Sequence, residues 1–144
     1  MIIQAYTDQE AVALVSTASK MTGTPIPVIL EDFGEFIVPT LFKIYHSLIK
    51  PEWKTLDLIE NAEETIHRTV RIKNPSAEPP KLKSSRPSAD EVIITYTSPR
   101  KMCGVAKGIA KGIANYYNEQ IQITETKCML KGSSSCQISI KLVK

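Results

Sequence analysis

The sequence predicts an α+β domain in which N-terminal helices precede a four-stranded antiparallel sheet with one inserted helix. Apolar residues recur with helical spacing through the first half of the chain, to about residue 72. The second half holds short alternating segments that are bounded by turn residues, as expected of strands. A further helical segment at residues 101–118 separates these strands into two pairs.

The first helix is predicted to start at the capping box Thr7–Glu10, because a threonine oxygen can accept from the third amide while the glutamate reaches back. It should run to about Met21 and end before Gly23. Its expected buried stripe consists of Ala11, Leu14, Val15 and Ala18.

Prolines indicate the next helix boundaries. Pro27 suits a helix start. Pro39 marks a new start or a kink of a helix over residues 39–49, since proline cannot donate to the preceding turn. Thr55 is predicted to cap the following helix, at roughly residues 56–72.

The remaining segments form the predicted sheet and its inserted helix. Residues 74–80 include three prolines and are predicted to form a bend without regular structure. Turns are expected at residues 87–90 and near residues 131–133. The predicted strands are residues 81–86, 91–98, 120–130 and 135–143.

Composition limits the classes of protein that fit. The 144 residues, 42% of them hydrophobic, suit a single domain over residues 1–144. The formal charge of +3 is small and its lysines and arginines are scattered, which argues against nucleic acid as a partner. No apolar run approaches the ~20 residues that span a membrane, and no secretory signal is visible. Three cysteines without such a signal favour a reducing compartment, so we expect a cytoplasmic protein.

The chain has two histidines, and only one of them is a candidate metal ligand. His46 lies away from the apolar stripe of its helix and is expected to face solvent. His67 lies at the margin of an apolar face, where a neutral imidazole can donate from one nitrogen and offer the other to iron. Glu63, one turn earlier, could orient the imidazole or be solvated. Taken alone, His67 is more typical of a half-buried core histidine.

Three polar side chains end the second predicted strand. Because side chains alternate with a period of two, Tyr96, Ser98 and Arg100 project from the same face as the apolar Val92 and Ile94. A phenol, a hydroxyl and a guanidinium can together hold carboxylates such as haem propionates. The other interpretation is a strand end whose polar residues face water.

His67, the Pro-Pro pair ending at Pro80, and the motif Tyr96-x-Ser98-x-Arg100 together resemble the haem nitric oxide/oxygen-binding (H-NOX) domain. The family includes the sensor domain of soluble guanylate cyclase and bacterial gas sensors. The resemblance covers nearly the whole chain, and the spacings between these motifs fit the family pattern without gaps.

The resemblance implies an H-NOX-like fold that binds haem b (iron protoporphyrin IX). His67 would be the proximal iron ligand, and Pro80 would press on the porphyrin. Tyr96, Ser98 and Arg100 would hold the propionates. Residues 1–50 would form distal helices, and residues 51–144 the proximal helix, the sheet and the inserted helix.

The sequence departs from the family pattern at two places. Family members begin with further distal helices, so part of the distal cover should be missing, replaced by residues 1–50, or supplied by a second chain in a homodimer. Oxygen-binding members carry a distal tyrosine where this chain has Val105. Bound oxygen would lack a stabilising hydrogen bond there, which favours nitric oxide as the ligand.

The leading hypothesis is therefore a haem-based sensor that binds nitric oxide, does not bind oxygen stably, and is not an enzyme. Nitric oxide would weaken the bond from His67 to iron, and the helix that carries His67 would move. The signal would pass to a separate kinase, cyclase or chemotaxis component. The alternative is a vinyl-reductase-like module that binds a small molecule, or acts as a scaffold, without haem.

Two further patterns leave alternatives open. Gly104, Gly108 and Gly112 recur every four residues, and they predict close packing of their helix on the sheet, on another helix, or on a porphyrin. Cys128 and Cys136 flank the last turn and could be reduced, bridged, or bound to a metal. A redox enzyme that uses these two cysteines ranks lowest, because no pair of nucleophile and base stands out.

Overall fold

A computed structural model describes residues 8–144, and it has the α+β architecture that the sequence predicts. A π turn at Glu63–His67 connects α3 to α4, and 3₁₀ turns occupy His46–Leu48 and Met129–Lys131. The helices are α1 (Asp8–Thr22), α2 (Ile26–Tyr45), α3 (Thr55–Asn61), α4 (Arg68–Lys73) and α5 (Cys103–Tyr116). The strands are β1 (Lys81–Ser88), β2 (Glu91–Thr97), β3 (Ile121–Lys127) and β4 (Cys136–Leu142).

The four strands form one antiparallel sheet in the order β1-β2-β4-β3. The central pair, β2 and β4, places Ile94 opposite Ile138 and Tyr96 opposite Cys136. Alternate residues of both strands are buried, so one face of the sheet is apolar. Helix α5, inserted between the two strand pairs, belongs to the same hydrophobic core as this face.

Helices α2 and α5 pack unusually closely because glycines line their contact. A Cβ atom added at Gly108 would lie 2.0 Å from the carbonyl oxygen of Glu31, and one added at Gly34 would lie 2.3 Å from that of Val105. The glycine stripe of α5 therefore packs on another helix, which is one of the alternatives that the sequence leaves open.

The structure corrects the predicted packing of α1. None of its residues is buried, and Leu14 of the expected stripe is 73% exposed. Helix α1 packs mainly along α2, with Asp8 at its start bonded to Arg100, so its apolar residues have little to pack against. The capping residue Thr7 lies outside the described residues.

Two predicted helix starts are also wrong. Helix α2 continues through Pro39 and ends at Tyr45 rather than residue 49. Pro39 has no N–H to donate to the carbonyl of Glu35, one turn earlier. This carbonyl faces Gly112 of α5, and a Cβ atom built at Gly112 would lie 3.1 Å from its oxygen. Pro39 therefore lies within α2 close to its contact with α5.

The second wrong start is at Thr55, which is the first residue of α3 and not its cap. Lys54 precedes the helix, and its N–H donates to Asp57 Oδ2 at 3.0 Å. The Thr55 N–H donates instead to Glu119 Oε1 at 3.1 Å, and Thr55 is fully buried. Tertiary contacts therefore shift this start by one residue.

No helix in the described part of the chain combines the length and the apolar character needed to cross a membrane.

Candidate functional site

A cavity of about 360 Å³ lies between the apolar face of the sheet, helix α5 and the π turn. Its volume is in the range of small-molecule sites, roughly 300–1,000 Å³. Helix α5 contributes only apolar side chains to the wall, and these include Val105 and Ile109. All the site residues that the sequence predicts line this cavity: His67, Pro80, Tyr96, Ser98 and Arg100.

His67 reaches the cavity from a π turn that the sequence does not reveal. Its N–H donates to the carbonyl of Ala62, five residues earlier, at 3.0 Å. Single π turns inside helices are frequent at functional sites, because they change which side chains face a neighbour. The regular helix predicted over residues 56–72 is thus interrupted at the candidate ligand.

The imidazole of His67 has the properties of a metal ligand. Burial lowers the pKa of His67, and the nearby Glu63 carboxylate opposes this shift only in part. The ring is therefore neutral near pH 7, which is the form that binds metals. Exposed His46 has no such surroundings, as expected.

The two nitrogens of His67 differ in their surroundings. Nδ1 is buried and makes no hydrogen bond within the described residues, although Glu63 Oε1 lies only 3.5 Å away. The carbonyl of Pro80 is a second nearby acceptor that raises the pKa of His67. The carboxylate oxygen beside Nδ1 favours a proton on that nitrogen, which leaves the lone pair on Nε2. A buried N–H group without an acceptor costs about 1–3 kcal/mol. A bond from Nε2 to a metal would hold the ring in this position despite that cost.

Glu63 connects the π turn that carries His67 to the sheet, so its carboxylate is not simply solvated. Its carboxylate accepts from both terminal nitrogens of Arg71 and, at 2.8 Å, from the N–H of Leu82 on β1. Burial raises the pKa of Glu63, but the bonds from Arg71 and Leu82 outweigh it, so the pKa is lowered overall. Arg71 also donates to the Pro80 carbonyl at 3.3 Å. The sequence gives no sign of Arg71, because its partners are set by the π turn.

The polar end of β2 forms the rim of the cavity. Tyr96 and Ser98 are buried, at 3% and 5% exposure, and burial raises the pKa of Tyr96. Arg100 donates through Nε to Asp8 Oδ1 at 2.8 Å. All three side chains line one cavity, but only Tyr96 lies on β2, because the strand ends at Thr97 rather than continuing through Ser98. The partner Asp8, far away in sequence, could not be predicted.

The described residues contain a second group of possible ligands, the cysteine cluster Cys103, Glu125, Cys128 and Cys136. Their ligand atoms all lie within 4.8 Å of one another, and these residue types are the ones that bind zinc. The three thiols are free, with 3.9 Å between the sulfurs of Cys103 and Cys128. The sequence pairs only the two hairpin cysteines and misses Cys103, which comes from α5.

The three thiols are expected to react with Ellman's reagent at least about tenfold more slowly in the native protein than in denaturant. All three are buried, and burial raises the pKa of the Cys103 and Cys136 thiols, so little thiolate forms. Absorbance at a fixed pH follows the reaction. Equal rates in both conditions would contradict the buried cluster.

Comparison with known proteins identifies relatives of this chain. A family model described as haem-NO-binding matches residues 1–125. No curated protein sequence matches.

Several solved structures share the fold over nearly the whole chain. An H-NOX protein from S. oneidensis in the Fe(II)NO state has a TM-score of 0.90 and 23% identity, over 98% of this chain and 78% of that one. The unliganded Fe(II) H-NOX protein from K. algicida has a TM-score of 0.90 and 22% identity, over 100% and 77%. A mutant of the T. tengcongensis H-NOX has a TM-score of 0.85 and 21% identity, over 100% and 78%. At these identities the likeness concerns the fold, while the family rests on the sequence model.

Proposed function

The chain belongs to the haem-NO-binding family, and we propose that it is a sensor that holds haem b through His67 and responds to nitric oxide rather than to oxygen. The observation that carries this proposal is the neutral, half-buried imidazole of His67, which lines a cavity whose rim holds carboxylate-binding side chains. A scaffold without haem would have no use for this arrangement.

The donors around the cavity suit haem in kind and number. His67 would bind the iron through Nε2, and Pro80 would contact the porphyrin from the same side. Tyr96, Ser98 and Arg100 would hold the propionates, as a phenol, a hydroxyl and a guanidinium do for carboxylates. When bound, haem supplies an iron atom to which a diatomic gas can bind.

The wall formed by α5 supports selectivity for nitric oxide. Its lining residues are Val105, Ala106, Ile109, Ala110 and Ile113, none of which has a side-chain hydrogen-bond donor. Oxygen bound to iron carries partial negative charge and needs such a donor for stable binding, whereas nitric oxide does not.

The proposed output is a signal to a separate protein, a kinase, a cyclase or a chemotaxis component, in the cytoplasm. Residues 1–144 would act as one sensor domain without enzymatic activity of its own. The π turn that carries His67 is bonded to β1 through Glu63, so a shift of His67 would reach the sheet.

Exposed apolar side chains on α1 and α2, among them Met21 and Phe36, are compatible with a homodimer, which size-exclusion chromatography would detect.

The proposal predicts that purified protein takes up one haem per chain with a sharp Soret band. The reduced form should change its spectrum with nitric oxide but not hold oxygen in air-saturated buffer, because the α5 wall offers no donor. Absorbance spectroscopy checks both points. Absence of a Soret band, or lasting oxygen binding by the reduced protein, would contradict the proposal.

A matched pair of variants tests the role of Val105. Val105→Tyr is expected to slow the loss of oxygen from the reduced protein, because it adds a phenol donor to the cavity wall. Val105→Phe fills the same space without the hydroxyl and should lose oxygen as the unaltered protein does. Stopped-flow spectroscopy measures both rates, and equal behaviour of the two variants would reject the argument.

A further inference from the structure

Glu63 Oε1 lies 3.5 Å from Nδ1 of His67, and the guanidinium of Arg71 bonds this same oxygen. Nη2 of Arg71 donates to Glu63 Oε1 and to the Pro80 carbonyl, each at 3.3 Å. Nη1 of Arg71 bonds the other oxygen of Glu63. Arg71 therefore competes with His67 Nδ1 for Glu63 Oε1.

Glu63 Oε1 is already saturated with donors. It accepts from Leu82 N–H at 2.8 Å and from Arg71, while His67 Nδ1 stays 3.5 Å away. The charge of Arg71 also neutralises the carboxylate in a partly dry site, where the Glu63 side chain is 21% exposed. The Nδ1–H group is thus left without a completed hydrogen bond among the described residues, although an anion lies beside it.

The strength of this hydrogen bond matters for any metal bound at the other nitrogen. A carboxylate that accepts from the far N–H of a ligating histidine raises the basicity of the ligand and strengthens the metal bond. If Arg71 were removed, Glu63 would be free to accept fully from Nδ1. Nε2 of His67 would then become a stronger electron-pair donor to a metal.

We infer that Arg71 is a positioning residue that holds Glu63 away from Nδ1 of His67 and so would keep a bond from His67 to a metal weak. A weaker bond would be easier to break when the sensor binds its gas. The inference rests on the proposed function, because it needs a metal at Nε2.

The test is the iron–histidine stretching frequency of the reduced haem protein, measured by resonance Raman spectroscopy. Arg71→Met should raise this frequency, because the freed Glu63 polarises His67. Arg68→Met, a change of another arginine on the same helix, is the matched control and should leave the frequency unchanged. In a Glu63→Gln background, Arg71→Met should no longer raise it.

A conservative variant protects the test against loss of folding. Arg71→Lys keeps a charge for Glu63 but cannot also reach the Pro80 carbonyl, so a smaller upward shift is expected. The inference is wrong if Arg71→Met and Arg68→Met give equal frequencies, if the Met shift persists in Glu63→Gln, or if Arg71→Lys has the same frequency as the unaltered protein.

One further variant separates this inference from the proposed function. The stretching band of the unaltered protein should disappear in His67→Gly. If it does while His67→Gly still takes up haem in the presence of added imidazole, the proposed ligand is correct, and the arginine variants alone decide the role of Arg71. If the band persists in His67→Gly, or if the unaltered protein has no such band, the proposed function fails and the inference falls with it.

Discussion

Replacing His67 with alanine is expected to abolish haem binding at concentrations that saturate the unaltered protein. Loss of a partner that only orients a metal ligand weakens binding about 10–100-fold, so loss of the ligand itself should cost more. Among the described residues, Met102 is the only sulfur-containing side chain that lines the cavity, so it is the one sulfur that could replace His67 as a ligand. It lies on the loop before α5. Haem titration followed by absorbance measures the effect.

The fold should survive this change, since the Nδ1 of His67 is unsatisfied and its removal breaks no hydrogen bond of the described structure. The thermal midpoint of the haem-free variant should therefore be close to that of the unaltered protein, also measured without haem. Added imidazole should restore the Soret band by occupying the space that the alanine leaves. His46→Ala, which alters the exposed histidine, is the control and should bind haem normally. A Soret band that persists in His67→Ala without imidazole would show that another residue ligates the iron.

The sequence predicts the sheet well, because the sheet depends on local alternation. Tyr96 follows the alternation of β2, whereas Ser98 and Arg100 lie beyond the last residue of that strand, Thr97, and still line the cavity. The position of His67 in the same cavity follows from the resemblance to the family and not from the pattern of its helix. That pattern predicts a regular helix, whereas the structure has a π turn.

The sequence fails where distant segments decide. The stripe on α1 has helical spacing, yet Leu14 is exposed, since amphipathicity predicts an apolar face without indicating what covers it. Asp8 meets Arg100, and Cys103 meets Cys128, only after the chain has folded. Pro39 likewise lies inside α2, close to its contact with α5.

The largest expected loss of stability comes from Gly108→Ala. In an isolated helix this change stabilises by about 0.8–1 kcal/mol. Here the new methyl group would lie 2.0 Å from the carbonyl oxygen of Glu31, which is backbone and cannot rotate away. Since overpacking of a core commonly costs about 1–3 kcal/mol and the helical gain returns at most about 1 kcal/mol, we expect a net loss of up to about 2 kcal/mol in the free energy of unfolding. Chemical denaturation followed by circular dichroism measures it.

Gly104→Ala is the matched control on the same stripe. Its nearest obstacle is the Cβ atom of Leu30 at 2.9 Å, which leaves more room than the 2.0 Å at Gly108, so a smaller loss of stability is expected. The difference between the two variants then reports the backbone contact of α2 with α5 and not the general preference of alanine for helices. Equal stability of both variants would mean that α2 can move away from α5 at little cost. Since α5 also carries Val105 and Ile109 on the cavity wall, a shift of α5 that makes room for a methyl group at Gly108 would also move that wall. Gly108→Ala is therefore expected to weaken haem binding as well, whereas Gly104→Ala should affect it much less.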